Sequence, residues 1–165
     1  MRHDGARGAD WLWKDACSLM KLRAIVAKDI PRLVRLDSTC FPEGVAFSSR
    51  DFTRYLTVDN SVGFLFEEGQ QLVGFTLAVW RDKVGEIVTI DVDPQQRRKG
   101  FAMRLLDRIE QRLADVGVHY VLLHVDVHND AAARLYKKRS YERVGRQPKY
   151  YRNEHDALIM AKSVC

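Results

Sequence analysis

The sequence predicts a mixed α/β domain, a mostly antiparallel central sheet containing one parallel β-α-β unit. Three observations carry this reading. Val62–Phe66, Leu72–Trp80 and Glu86–Val92 are β-rich runs joined by short polar turns, the pattern of an antiparallel meander. From Phe101 to Val116, Met103, Leu105, Leu106, Ile109, Leu113 and Val116 recur at helical spacing, and Gly117 closes the helix. Tyr120–Val127 is almost continuously apolar, as in a strand buried on both faces, so the helix reads as a crossover between parallel strands.

The remaining elements follow in order. Residues 1–19 lack periodicity and read as an N-terminal extension, a candidate for disorder and dispensable for folding. Met20-Lys21-Leu22-Arg23 opens a strand reaching about Val26. Asp29-Ile30-Pro31 starts a helix: Asp can accept orphan N–H bonds, and Pro is tolerated in the first turn. Ile30, Leu33, Val34 and Leu36 form its apolar face, and it ends near Cys40-Phe41-Pro42. After a loop from Pro42 to Phe47, Ser48 or Ser49 caps a short helix bearing Phe52, Tyr55 and Leu56. Beyond the buried strand, Asn129 caps a helix through Leu135 and Tyr136. Two last strands, near Glu142–Val144 and Ala157–Ala161, flank the polar loop Lys149-Tyr150-Tyr151-Arg152-Asn153.

Composition bounds the function. A chain of 165 residues suits a single domain, taken as residues 20–165. With 46% hydrophobic and 30% charged residues, disorder and fibrous repeats are excluded as the chain's main character. The formal charge of +5 suits a phosphate-rich ligand or nucleic acid. No helix-turn-helix, zinc or aromatic RNA-binding signature accompanies the charge, so nucleic acid is not the expected partner. The three cysteines, Cys17, Cys40 and Cys165, form neither a disulfide framework nor a metal knuckle; no metal is expected, and a reducing cytoplasm is. No apolar run approaches the roughly 20 residues of a membrane span, so no membrane association is expected.

The segment from Val92 to Ala102 joins a strand to a helix through Arg97-Arg98-Lys99-Gly100. Backbone N–H groups at a helix start stabilise a pyrophosphate, and the three cations add charge-assisted contacts. It is neither a Walker loop, lacking Gly-Lys-Ser/Thr, nor a Rossmann fingerprint, lacking GxGxxG. A solvated basic turn is the alternative reading.

Arg97-x-x-Gly100-x-Ala102 matches the Q/R-x-x-G-x-G/A signature, and the chain resembles the GNAT superfamily of N-acetyltransferases. Leu123-His124-Val125, Asn129, Ala132 and Leu135-Tyr136 further resemble the N-terminal acetyltransferases, including the ribosomal-protein alanine type. So do Lys149-Tyr150-Tyr151, Asp156-Ala157, Met160 and the Phe41-Pro42 element, the likeness covering residues 20–162. The resemblance implies a GNAT-like sheet with helices on both faces and acetyl-coenzyme A as cosubstrate. It implies that Ile90, Asp91 and Val92 hold the acetyl and pantetheine portion through backbone groups, with Val92 N–H a candidate oxyanion donor. Arg97, Arg98, Lys99, Gly100, Phe101 and Ala102 would hold the pyrophosphate, and Asn129 would bond coenzyme A or only cap its helix. Phe41, Pro42, Tyr150 and Tyr151 become acceptor-site candidates, with aromatic packing as the alternative.

Aminolysis of a thioester needs an uncharged amine, stabilisation of an oxyanion and a proton for the departing thiolate. Tyr136 stands where the family places its general acid, and a phenol can donate. His124 stands where the family carries Glu or His, and a neutral imidazole can accept the amine proton; Glu86 is the rival base. Three departures weaken the acceptor assignment: Ser140 for a glycine, Asp126 for a basic residue and Asp91 for a small one. The acceptor implied is a protein or peptide N-terminal amine. A small-molecule amine or a lysine side chain is the alternative, and a non-catalytic coenzyme A-binding module is the alternative of another class. A monomer and a homodimer are both compatible with the sequence.

Overall fold

The computed structural model describes residues 20–165, so the reading of residues 1–19 as an extension lies outside the described residues. The elements are β1 (Met20–Ala24), α1 (Ile30–Cys40), α2 (Ser49–Leu56), β2 (Ser61–Glu68), β3 (Gln71–Arg81) and β4 (Val84–Val92). They continue as α3 (Phe101–Asp115), β5 (Tyr120–Asp126), α4 (Asp130–Lys138), β6 (Glu142–Gln147) and β7 (Ala157–Ser163). One seven-stranded sheet runs β1-β2-β3-β4-β5-β7-β6, antiparallel throughout except for β4 beside β5.

Strand alternation sends successive side chains to opposite faces, and each face has its own helix layer. Leu65, Phe75 and Leu77 pack against Leu33 and Leu36 of α1 and Phe52 of α2. Phe64, Phe66 and Val121 face Leu105, Leu106, Ile109 and Leu113 of α3, with Tyr136 of α4 in the same cluster. Ser48 is the cap of α2, its hydroxyl accepting from Asp51 N at 3.2 Å, and Asn129 Oδ1 caps α4 by accepting from Ala132 N at 3.1 Å.

Three sequence expectations need correction. β1 ends at Ala24, because the chain turns at Ala27–Asp29 into a short 3-10 segment that leads directly into α1. Asp29 is not the side-chain cap of α1; its oxygens are taken by Val26 N–H and by two arginines. β5 is buried on one face only: Val121, Leu123 and Val125 are buried, whereas Leu122, His124 and Asp126 are half-buried, because this side lines an opening rather than a helix layer.

That opening comes from the sheet itself. β4 and β5 pair in parallel only from Val84–Tyr120 to Ile87–Leu123. Val88 is then bulged out of register against β3, since Leu77 pairs with Thr89 and Ala78 with Ile87. Beyond it β5 remains paired with β7 up to Asp126, while the last residues of β4 have no neighbour on that side. The two parallel strands splay apart at their C-terminal ends.

The far edge is pinned by ions. Asp29, 2% exposed, meets Arg23 Nη1 at 2.8 Å and Arg32 Nη2 at 2.8 Å, and both arginines also reach Glu67 of β2. The Arg23 hydrogen bond, foremost among several, holds the Asp29 carboxyl well below the usual carboxylate range. Its ionised form therefore stabilises the fold above the ordinary carboxylate pKa, and this contribution is lost as pH falls towards the depressed value. Asp29→Asn is expected to destabilise the protein by about 2 kcal/mol at neutral pH, since it removes the buried charge on which two half-buried arginines converge and leaves them Glu67 alone. Denaturant melts of both proteins should show this gap shrinking only in acid.

Candidate active site

The splay encloses a cavity of about 340 Å³ between the ends of β4 and β5, closed by α1, the Phe41–Phe47 loop and α4. Asp93 N donates to Val73 O of β3 at 2.9 Å. Because N–H directions alternate along a strand, the N–H groups of Ile90 and Val92 point the other way, into the cleft. Val92 O, on the same side, accepts from Arg97 Nε at 3.2 Å and from the Cys40 thiol at 3.5 Å. An extended ligand entering the cleft would meet the free backbone edge of β4, much as an added strand would.

Tyr136 reaches this cavity from α4 and is 6% exposed. Burial, with Asp91 and then Tyr151 adding to it, raises its phenol well above the ordinary range, so the hydroxyl keeps its proton. A second cavity, of about 190 Å³, adjoins the first and is bounded by Tyr55, Glu86, His124, Tyr150, Tyr151 and Arg152 among others. Val45, Phe47, Ile87, Val88, His124 and Tyr151 belong to the walls of both.

At this junction His124 and Glu86, rivals in the sequence, are neighbours. Parallel pairing of β4 and β5 places their side chains on one face, with His124 Nδ1 3.2 Å from Glu86 Oε1. The approach is close enough for an ion pair but not aligned as a hydrogen bond, and the buried Nδ1 has no hydrogen-bond partner among the described residues. The imidazole stacks on Tyr150, ring centroids 4.2 Å apart and planes 3° from parallel. Burial first, then Glu86, pushes the Tyr150 phenol up to about 12.

The basic loop leaves β4 through a 3-10 turn at Pro94–Gln96 and enters α3 with Arg98 at φ 62° and Gly100 at φ 84°. A Cβ at Gly100 would meet nothing within 4 Å, so the residue is demanded by its left-handed backbone and faces open space at the start of α3. The first N–H groups of α3 have no carbonyl a turn behind them.

Residues 30–141 match the acetyltransferase (GNAT) family. The chain belongs to that family. It is 30% identical over 144 residues to N-alpha-acetyltransferase RimI of Mycobacterium tuberculosis, covering 84% of this chain and 89% of the relative. It is 27% identical over 153 residues to N-alpha-acetyltransferase daf-31 of Caenorhabditis elegans, covering 88% and 83%. The crystal structure of the ribosomal-protein-S18-alanine N-acetyltransferase from Escherichia coli superposes with a TM-score of 0.78 at 21% identity, covering 88% of this chain and 94% of that one. The GNAT fold expected from the motifs, with helices on both faces of the sheet, is the fold observed.

In this GNAT domain the residues singled out in the sequence fall into groups. Ile90, Asn129, Phe41, Pro42, Tyr136 and His124 line the larger cavity; Tyr150 lines only the smaller, and Tyr151 both. Arg97 is drawn back onto Val92 O, and Lys99 Nζ onto Gln96 Oε1 at 2.9 Å, whereas Arg98 makes no ion pair or side-chain hydrogen bond among the described residues. The Phe101 side chain is buried against the Phe66 ring, so only its backbone can face a phosphate; Ala102 sits beside it. Asp91 turns away from the cleft's backbone edge: Thr89 Oγ1 donates to its Oδ1 at 2.7 Å, and the carboxyl faces Asp37 of α1.

Asp37 is the residue sequence reasoning missed. It falls on the stripe 30, 33, 34, 37 of α1, and a charge on an apolar face was the signal available. The contact of Glu86 with His124 had no signal short of strand register. Asp126, His128 and His155 also gather at the β5–α4 turn, ligand atoms within 4.8 Å of one another, a donor set able to take a divalent ion. In the structure His155 Nδ1 lies 2.7 Å from Asp126 Oδ2, within hydrogen-bond distance. Among the described residues, no helix is long and apolar enough to cross a membrane.

Proposed function

We propose that the chain transfers the acetyl group of acetyl-coenzyme A to the α-amine of a protein or peptide N-terminus. The observation that supports this best is the junction of two cavities at His124, one holding Tyr136 and the free edge of β4, the other walled by Tyr150 and Tyr151. Family membership points to the donor, and the names of the two relatives point to the acceptor. The cleft fits such a donor on its own geometry, with unpaired strand N–H groups for an extended arm and a glycine turn opening onto space at a helix start.

When bound there, acetyl-coenzyme A supplies an activated thioester. Ile90 and Val92 hold the arm, with Val92 N–H placed to stabilise the oxyanion, while residues 97–102 and Asn129 take the diphosphate and pantetheine. Asp91 contributes through its backbone. His124, beside Glu86, takes the amine proton; Tyr136 donates a hydrogen bond to the sulfur as negative charge builds there. The raised phenol pKa favours that donation over complete release of its proton, so proton exchange with solvent completes the free thiol. Phe41, Pro42, Tyr150 and Tyr151 orient the acceptor.

A small cationic amine is the second reading, favoured by the Glu86 carboxylate at the wall of the smaller cavity. Turnover with peptides bearing free α-amines, set against polyamines and aminoglycosides, separates the two. A coenzyme A-binding module without activity would turn over neither. The free thiols of Cys40 and Cys165 support a reducing, cytoplasmic setting.

Gly100→Val tests the donor site. Valine is strained at φ 84° and projects into the space assigned to phosphate, so acetyl-coenzyme A affinity is expected to fall at least about tenfold. Calorimetry on the folded variant checks this, and unchanged affinity would remove the loop from the site.

A further inference from the structure

We propose that Asp37 and Asp91 share a single proton and together clamp the Phe41–Phe47 loop against the end of β4. Both carboxyls are withdrawn from solvent, at 0% and 1% exposure. Phe47 N–H donates to Asp37 Oδ2 at 2.6 Å, and Thr89 Oγ1 donates to Asp91 Oδ1 at 2.7 Å. The other two oxygens, Asp37 Oδ1 and Asp91 Oδ2, are buried and receive no N–H or hydroxyl donor among the described residues. Cys40, one turn after Asp37 on α1, reaches Val92 O next to Asp91 at 3.5 Å, and across this contact the two carboxyls face each other as hydrogen-bonding partners. Two facing carboxylates without a cation between them cannot both stay ionised in such a site, and one proton satisfies both orphan oxygens at once.

The surrounding groups support one retained proton. The Phe47 N–H and the Thr89 hydroxyl favour ionisation, each at one oxygen; Arg97 is the one positive charge acting on Asp91, and its guanidinium is spent partly on Val92 O. From α1, the Cys40 thiol is pushed up to about 11 by burial and then by Asp91, so it stays neutral. From α2, Asp51 adds negative charge near Asp37. From α4, Tyr136 stays protonated. Burial raises both carboxyls and the Asp37 charge raises Asp91 further, while Asp91 as hydrogen-bond donor favours the ionised form of Asp37, so the pair keeps one proton above the ordinary carboxylate range.

The clamp has a defined object. Asp37 holds both ends of the loop, its backbone carbonyl accepting from Phe41 N at 2.9 Å and its side chain from Phe47 N. Phe47 forms wall in both cavities and packs edge-on against Phe52 and Tyr55. Through the shared proton the loop is tied to the strand end whose N–H groups face the cleft. Its consequence for acceptor binding rests on the transfer reading; the shared proton does not. Loss of that proton, above the ordinary carboxylate range, sets two buried charges against each other and frees the loop. The sign follows from linkage: the folded chain keeps a proton that the unfolded chain releases near the ordinary carboxylate pKa. Stability therefore falls as pH rises from that value to the raised one.

Carboxyl carbon NMR of the full chain, titrated without any acceptor, tests this directly. Only one of the two carboxyls is expected to ionise in the ordinary carboxylate range, the second proton leaving above it, with Phe47 amide protection from hydrogen exchange falling over that higher range. In Asp37→Asn the side-chain amide supplies the donor that the proton supplies in the parent, so Phe47 protection should persist and the fall in melting temperature at higher pH should flatten. Asp37→Ala should lose Phe47 protection at every pH and raise the acceptor KM about tenfold, more than the acetyl-coenzyme A KM. Both carboxyls ionising in the ordinary carboxylate range, or a fall at higher pH in Asp37→Asn equal to the parent's, would overturn the clamp. If Asp37→Ala does not fold, the titration and the Asn variant still decide. Absence of any transfer with a normal titration would count against the proposed function and not against the clamp.

Discussion

Tyr136→Phe is expected to lower turnover by about a hundredfold while leaving acetyl-coenzyme A affinity within about twofold of the parent. The ring is buried among Tyr141 and the neighbouring core, and phenylalanine conserves that packing. What disappears is a hydroxyl that burial keeps protonated and that lies at the cavity where the thioester sulfur would leave. Charge developing on that sulfur would then find no donor from α4, an interaction felt in the transition state more than in the bound ground state. Loss of kcat without loss of binding is the pattern of such a group. A variant with parental kcat at every pH would remove Tyr136 from the chemistry.

His124→Ala is expected to slow transfer by about a hundredfold near pH 7, where an α-amine with an ordinary pKa of roughly 7.7–8.0 is largely protonated. In alkali the acceptor loses its proton unaided, so the deficit should narrow. Comparing variant with parent at each pH cancels the loosening at higher pH proposed for the Asp37–Asp91 pair. A histidine that only supports Tyr150 by stacking would give a deficit of the same factor at every pH together with a lower melting temperature. Glu86→Gln in parallel shows whether the neighbouring carboxylate shares the role.

The architecture was legible because each element carries a local signal. The meander has β-rich runs with turns between them, α3 has its apolar stripe, and Asn129 and Ser48 are caps by chemistry. The splay of β4 and β5 was not legible, because it depends on a one-residue bulge at Val88 and on β5 keeping β7 as its partner, neither of which leaves a mark on hydropathy. For the same reason β5 read as buried on both faces: His124 and Asp126 were polar residues in an apolar run, and only the cleft explains them. Ser140, noted as standing where relatives carry glycine, has φ 70°, a left-handed turn after α4 that glycine adopts at lower cost. Asp29 and Asp37 show the limit from the other side. Each is an acid at a helix, one expected to cap and one unremarked: Asp29 is instead taken up by Arg23 and Arg32, which it shares with Glu67 of β2, and Asp37 by Phe47 N–H, with Asp91 beside it.

The most direct test of the account is mass spectrometry of a peptide mixture incubated with the protein and acetyl-coenzyme A. The mixture would hold peptides with a free N-terminus, the same peptides with a blocked N-terminus and an internal lysine, and a polyamine. One acetyl group is expected on free α-amines, abolished by blocking and suppressed in Tyr136→Phe. Acetylation confined to the polyamine or the lysine would contradict the N-terminal assignment, and no acetylation of any amine would contradict the proposed transfer itself.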